Sequence, residues 1–174
     1  MQTSFRNSLV LSALALGVAV VGSNAFAQSP NDNKLQWRSV IGIIQGGNVV
    51  GSGTGAMTGA PGPWSAQDGQ ASVSLKTGQV DFDVRGLVFA AGNSIGTPGT
   101  VTQVKGTLVC DTDGSASGGN SAFVDTPLVD LDDEGNARFH GQVSLPATCA
   151  TAPDVAFLIR LGAGRWIANG TVLR

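Results

Sequence analysis

Residues 71–86 read Ala-Ser-Val-Ser-Leu-Lys-Thr-Gly-Gln-Val-Asp-Phe-Asp-Val-Arg-Gly, and this stretch decides the fold class. Ala71, Val73 and Leu75 alternate with polar residues, Lys-Thr-Gly-Gln supplies turn chemistry, and Val80, Phe82 and Val84 then alternate with Asp81, Asp83 and Arg85. A period of two sends successive side chains to opposite faces of an extended chain, so the stretch predicts a β-hairpin with one apolar face and one wet face. Past Gly86 the run Leu87-Val88-Phe89 loses the alternation, as a strand end does when both its faces are covered.

The same pattern, bounded by Gly, Pro, Asn and Asp, predicts further strands over 35–44, 49–58, 101–110, 122–131, 137–145, 155–161 and 165–173. In the 101–110 strand, Thr102, Val104, Leu108 and Cys110 share the core face, and in the 137–145 strand Ala137, Phe139, Val143 and Leu145 point inward while Arg138, His140 and Gln142 point out. No helical period is found after residue 27. An all-β domain of about eight to nine short strands is expected, as an antiparallel sandwich or a small closed barrel. An outer-membrane barrel is disfavoured, because such barrels carry aromatic girdles, whereas this chain has no Tyr and would set Lys105, Arg138 and His140 against lipid.

The chain opens differently. Arg6 gives a charged start, Leu9 to Gly22 form an apolar run, and Ala25-Phe26-Ala27 is an A-x-A cleavage pattern before the polar Gln-Ser-Pro-Asn-Asp-Asn. The apolar run is short of the roughly 20 residues needed for a stable span and is broken by Ser12 and Gly17, so it predicts a signal peptide over 1–27, cleaved after Ala27. No lipid-attachment cysteine and no arginine pair accompany it, which implies the general secretory route to the periplasm or the outside. Residues 28–34 form a flexible leader, and 35–174 is the length of one ordinary domain. No later stretch is apolar enough to span a membrane as a helix.

Export places Cys110 and Cys149 where disulfides persist, and they are expected to be bonded to each other. Two Cys and one His are too few for a structural zinc site, and no cofactor motif is present. The formal charge is −2, and removal of the signal takes away one further positive charge, which leaves no basic stripe for phosphates. Nucleic acid is therefore not an expected partner.

The loops hold the remaining signals. Gly92-Asn93-Ser94-Ile95-Gly96 matches G-x-S-x-G, and Ser94, Asp130 and His140 follow hydrolase triad order, yet the helix that exposes such a serine is missing. His140, the only histidine, falls on a solvent face. Asp130-Leu131-Asp132-Asp133-Glu134-Gly135-Asn136 offers Asp130, Asp132 and Asp133 as weak calcium ligands, but it lacks the twelfth-position Glu of an EF-hand and reads more simply as a turn, as does Asp111-Thr112-Asp113-Gly114. Glu134, the only Glu, sits in that turn, so a facing carboxylate pair for glycoside hydrolysis has no support. Gly51, Gly53 and Gly55 leave one strand face bare, where another backbone, an aromatic ring or a ligand could approach; with Trp64 in its Pro-Gly loop they form the candidate groove for a ligand or partner. Asn169-Gly170-Thr171 is a formal glycosylation sequon on a predicted strand.

Three classes follow. A non-catalytic exported domain that binds an unidentified protein or small ligand, or plays a structural part, is favoured by the poor catalytic inventory. A secreted hydrolase with loop-borne Asp and Ser is the second. A fibre or adhesion subunit using strand addition is the third, and an incomplete sheet would mark it.

Overall fold

The alternation at 71–86 builds β5 (Asp68–Ser74) and β6 (Gln79–Arg85), antiparallel neighbours with Ala71 opposite Phe82 and Ser72 opposite Asp81. The computed structural model describes residues 34–151 and 154–172. The expected signal peptide and residues 28–33 of the expected leader lie outside them, and β1 (Lys34–Gly42) takes in Lys34.

One nine-stranded antiparallel sheet carries the fold. Its order is β10 (Val129–Asp130), β8 (Gln103–Cys110), β12 (Val155–Leu161), β13 (Trp166–Val172), β1, β5, β6 and β11 (Ala137–Gln142), with β9 (Ala122–Asp125) also lying against β8. Two small ribbons accompany it: β2 (Val49–Val50) with β3 (Met57–Thr58), and β4 (Trp64–Ser65) with β7 (Val88–Phe89). A short helix, α1 (Ala147–Thr151), follows β11, where no helix was expected. Among the described residues no helix is long and apolar enough to cross a membrane.

The sheet is curled. Phe82 on β6 meets Phe157 on β12 with ring centroids 5.7 Å apart, and Phe157 meets Trp37 on β1 at 5.6 Å, although none of these strands are neighbours. Large rings fill this interior because small residues face them: a Cβ on Gly106 would lie 2.9 Å from the Phe82 ring, and one on Gly170 would lie 2.6 Å from the Trp37 ring. Each such ring, fully buried, contributes about 1.5–3 kcal/mol by the area it removes from water. The two ends of the sheet, β10 and β11, are consecutive in the chain and come alongside each other, but no ladder of hydrogen bonds joins them. The architecture is thus a single open curled sheet rather than two facing sheets or a fully bonded barrel.

Three expected elements are redrawn. Strand 49–58 is a ribbon interrupted by a 3-10 turn at Gly53–Gly55, because Gly51 (φ 86°) and Gly53 (φ 55°) leave extended geometry. Strand 122–131 breaks into β9 and β10: Asp125 faces Thr107, whereas Val129 faces Val104, so one extra residue is accommodated around Thr126-Pro127-Leu128. In β1 the register slips between Trp37 and Ser39, and the bulge lets Trp37 and Val40, three residues apart, both face the core.

Cys110, at the end of β8, is bonded to Cys149 in α1, and both are fully buried. The segment that leaves β11 therefore crosses to β8 and fastens there, so a covalent link holds the two sides of the open seam.

Candidate functional site

Strands β1, β5, β6 and β11 are successive neighbours, so their outward side chains fall into rows. Gln36 lies opposite Ser72, Ser72 opposite Asp81, and Asp81 opposite His140; the next row runs from Gln70 to Asp83 to Arg138. With Lys34 and Arg38 they line a trough of about 510 Å³ on the outer face of the sheet. The floor is rigid, because the opposite face of the same strands carries the buried residues Trp37, Ala71, Phe82 and Ala137.

Charges in the trough are partly paired. Arg138 Nη2 lies 2.7 Å from Asp83 Oδ2, and Arg85 Nε lies 3.4 Å from Asp83 Oδ1, so one carboxylate serves two guanidiniums. His140 Nδ1 is hydrogen-bonded to Asp81 Oδ1. Lys34 and Arg38 have no ion pair among the described residues. The arrangement presents amides, a hydroxyl, carboxylates and cations on one face, which suits a polar ligand. It does not form an acyl-transfer triad: Asp81 stands between Ser72 and His140 in the row, whereas the histidine must stand between the nucleophile and the acid.

The expected triad residues are engaged apart. His140 pairs with Asp81, Asp130 Oδ1 accepts from Gln103 Nε2 at 3.1 Å, and Ser94 accepts the Thr97 N–H through its carbonyl in a tight turn. Asp132 is the acceptor at the centre of its turn, taking the Asn136 N–H at 2.7 Å, Asn136 Nδ2 at 3.0 Å and the Glu134 N–H at 3.1 Å, which holds its carboxyl below the ordinary range. Asp130 thus ends β10, Asp132 and Asp133 lie in the turn that follows it, and the three are not among the acids that converge in the described residues.

Among the described residues the acids that do converge are Asp111, Asp113 and Asp154, with one carboxylate oxygen of each within 4.8 Å of the others. All three are spoken for. Asp111 Oδ2 accepts from Ser117 Oγ and Oδ1 from Ala116 N at 3.1 Å; Asp154 Oδ2 accepts from Thr112 Oγ1 at 2.5 Å and Asp113 N at 3.1 Å; Asp113 Oδ1 accepts from Ser115 N at 2.9 Å. The Ser117 hydroxyl, aided by the Ala116 N–H, outweighs the burial and the nearby Asp154, so Asp111 stays below the ordinary carboxylate value. The group knots the 111–121 loop to the start of β12.

The groove expected at Trp64 and Gly51, Gly53 and Gly55 is filled by the protein itself. Trp64 is buried, with the Phe89 ring tilted against it at a centroid separation of 4.2 Å. A Cβ on Gly55 would lie 2.0 Å from the Ser121 carbonyl oxygen, and one on Gly53 would lie 2.2 Å from Asn120 Oδ1, because the 119–121 segment docks there through bonds such as Thr54 N to Asn120 Oδ1 (2.9 Å). The Asn169 sequon lies in β13, paired on both sides by β12 and β1. Sequence parity had already placed Asp81, Asp83, Arg138 and His140 on wet faces; the same parity applied to β1 and β5 would have added Gln36, Arg38, Gln70 and Ser72, but only the strand order brings them together.

No family model, curated protein or solved structure matches this chain.

Proposed function

We propose that the chain is exported through its first 27 residues and serves as a binding domain outside the cytoplasm, with the trough across β1, β5, β6 and β11 as its ligand surface. The observation that carries this reading is the two-row array of Gln36, Ser72, Asp81 and His140 beside Gln70, Asp83 and Arg138 on a rigid floor, with Lys34 and Arg38, which have no ion pair among the described residues, at its side. Preformed polar groups on a sheet bind without first being ordered, which lowers the entropic cost of association. The Cys110–Cys149 bond supports an oxidising destination.

Two measurements test it. Mass spectrometry of the exported protein is expected to find Gln28 as its first residue; an intact Met1 on the exported product would refute the signal. NMR screening against sugars, amino acids and short peptides is expected to give shifts clustered at 34–38, 70–72, 81–83 and 138–140, and the double substitution Gln36→Ala with Ser72→Ala should weaken the bound compound about tenfold through lost hydrogen bonds. Shifts clustered elsewhere, or unchanged affinity in the double variant, would remove the trough from consideration.

A further inference from the structure

Partners are spread unevenly over the trough. On its β6 and β11 side the charges are spent on each other, Asp81 on His140 and Asp83 on Arg138 and Arg85. On its β1 and β5 side they are not. Among the described residues Lys34 and Arg38 have no ion pair, and the side chains of Gln36, Gln70 and Ser72 have no hydrogen bond. Register gathers these five groups: Lys34 stands opposite Ser74, Gln36 opposite Ser72 and Trp37 opposite Ala71, so Arg38 falls beside Gln70. No acid lies on β1, and the one acid of β5, Asp68, stands outside the trough and accepts the Gly69 N–H at 2.8 Å.

We infer that this half of the trough takes an acidic oligosaccharide, with uronate carboxylates at Lys34 and Arg38 and sugar hydroxyls on Gln36, Gln70 and Ser72. The inference names the ligand class of the trough and so rests on that surface being the binding site. Charge draws the carboxylates. Three cations, Lys34, Arg38 and Arg138, line the trough against two carboxylates, Asp81 and Asp83, although the chain as a whole carries −2. The two carboxylates sit on β6 and turn an anion toward β1, where the Arg38 guanidinium offers a fork that matches a carboxylate and Lys34 offers a compact charge. The neutral groups suit the rest of a sugar, because an amide and a hydroxyl each donate and accept, as a sugar hydroxyl does. Lys34 and Arg38 are four positions apart on an extended strand, about 13 Å along β1, so a chain bearing several carboxylates engages both where a single small anion does not. An acidic peptide fits less well. The main chain beneath the trough is spent in the ladders of β1, β5, β6 and β11, and the outward side chains there are all polar, which leaves a peptide neither backbone partners nor apolar pockets.

The test titrates the oxidised protein, followed by NMR, with three probes: a trimer of galacturonic acid, the same trimer as its methyl ester, and a peptide of three aspartates. The galacturonate trimer is expected to shift residues 34–38 and 70–72, with an affinity that falls as salt rises. The ester and the peptide are expected to bind about tenfold more weakly. The double variant Lys34→Gln with Arg38→Gln, whose changes lie on exposed side chains, should weaken the galacturonate trimer about tenfold. Equal binding of the ester, equal binding of the peptide, or full affinity in the double variant would each overturn the acidic oligosaccharide while leaving the trough as a ligand surface. So would a galacturonate trimer that shifts nothing in the trough while another compound does. If no compound shifts the trough, both the ligand class and the ligand surface fall.

Discussion

Asp125 ties three strands together with a single carboxylate. It accepts Lys105 Nζ at 2.6 Å and Thr107 Oγ1 at 2.6 Å from β8, and Arg160 Nη1 at 2.9 Å from β12, while Arg160 Nε donates to Gly164 O at 2.8 Å. Burial alone would raise this carboxyl, but the Lys105 ammonium, the Thr107 hydroxyl and Arg160 outweigh it and hold Asp125 below its ordinary value of 3.8. Asp111 and Asp132 are lowered as well. In each case the unfolded chain binds the proton more readily, so the stabilisation is fully present above the unfolded value and is lost as pH falls through the lower folded value. Thermal unfolding followed between about pH 6 and pH 2 should therefore show stability dropping below about pH 4. Asp125→Asn should cost about 2 kcal/mol near neutral pH in urea unfolding, by weakening hydrogen bonds from charged donors, and should flatten the acid limb of that profile. An acid limb unchanged in the variant would show that Asp125 does not contribute to it.

At the level of elements, the interior depends on pairing a ring on one strand with a glycine on another. Gly170→Ala would put a methyl 2.6 Å from Trp37, whose ring is rigid and buried, and should destabilise by about 1–3 kcal/mol through overpacking, measured as a lowered urea midpoint with unchanged slope. This element-level logic also marks how far a linear reading reaches. The β5–β6 hairpin was legible because alternation and turn residues are local signals, and the cysteine on the core face of β8 followed from parity. The break between β9 and β10 was not, since Val-Asp-Thr-Pro-Leu-Val keeps apolar residues at intervals that a strand tolerates, and only the slip against β8 reveals the extra residue. The glycines at 51–55 are a place of close approach, and what approaches is the Asn120 side chain with the Gly119 and Ser121 carbonyls, about 66 residues later in the chain. The trough was half visible: the outward residues of β6 and β11 were assigned, yet that β1 lies next to β5 is a long-range fact with no local signature.

For the whole molecule, the decisive feature is that the sheet curls without bonding its ends, and the Cys110–Cys149 link spans the place where a ladder is missing. With the two cysteines 39 positions apart in sequence, the chain-entropy model assigns the crosslink about 4 kcal/mol. Replacing both cysteines by Ala should lower stability by about that amount, and hydrogen exchange should quicken first at β9, β10 and β11, the strands that border the seam, before it does so at β13 and β1. Uniform quickening across the sheet would mean that the link stabilises the fold globally rather than clasping the seam.

β1 and β13 lie side by side and antiparallel, with Trp37 opposite Val172, so the domain's first strand begins where its last strand finishes. Tension applied through the two ends would peel that ladder apart one bond after another instead of loading all its bonds together in shear. The sulfur bridge would then keep residues 110–149 from lengthening, but it would not protect the first pair of strands from parting. Stretched end to end in a single-molecule experiment, the domain is therefore expected to open between β1 and β13 at low force, strand by strand from there.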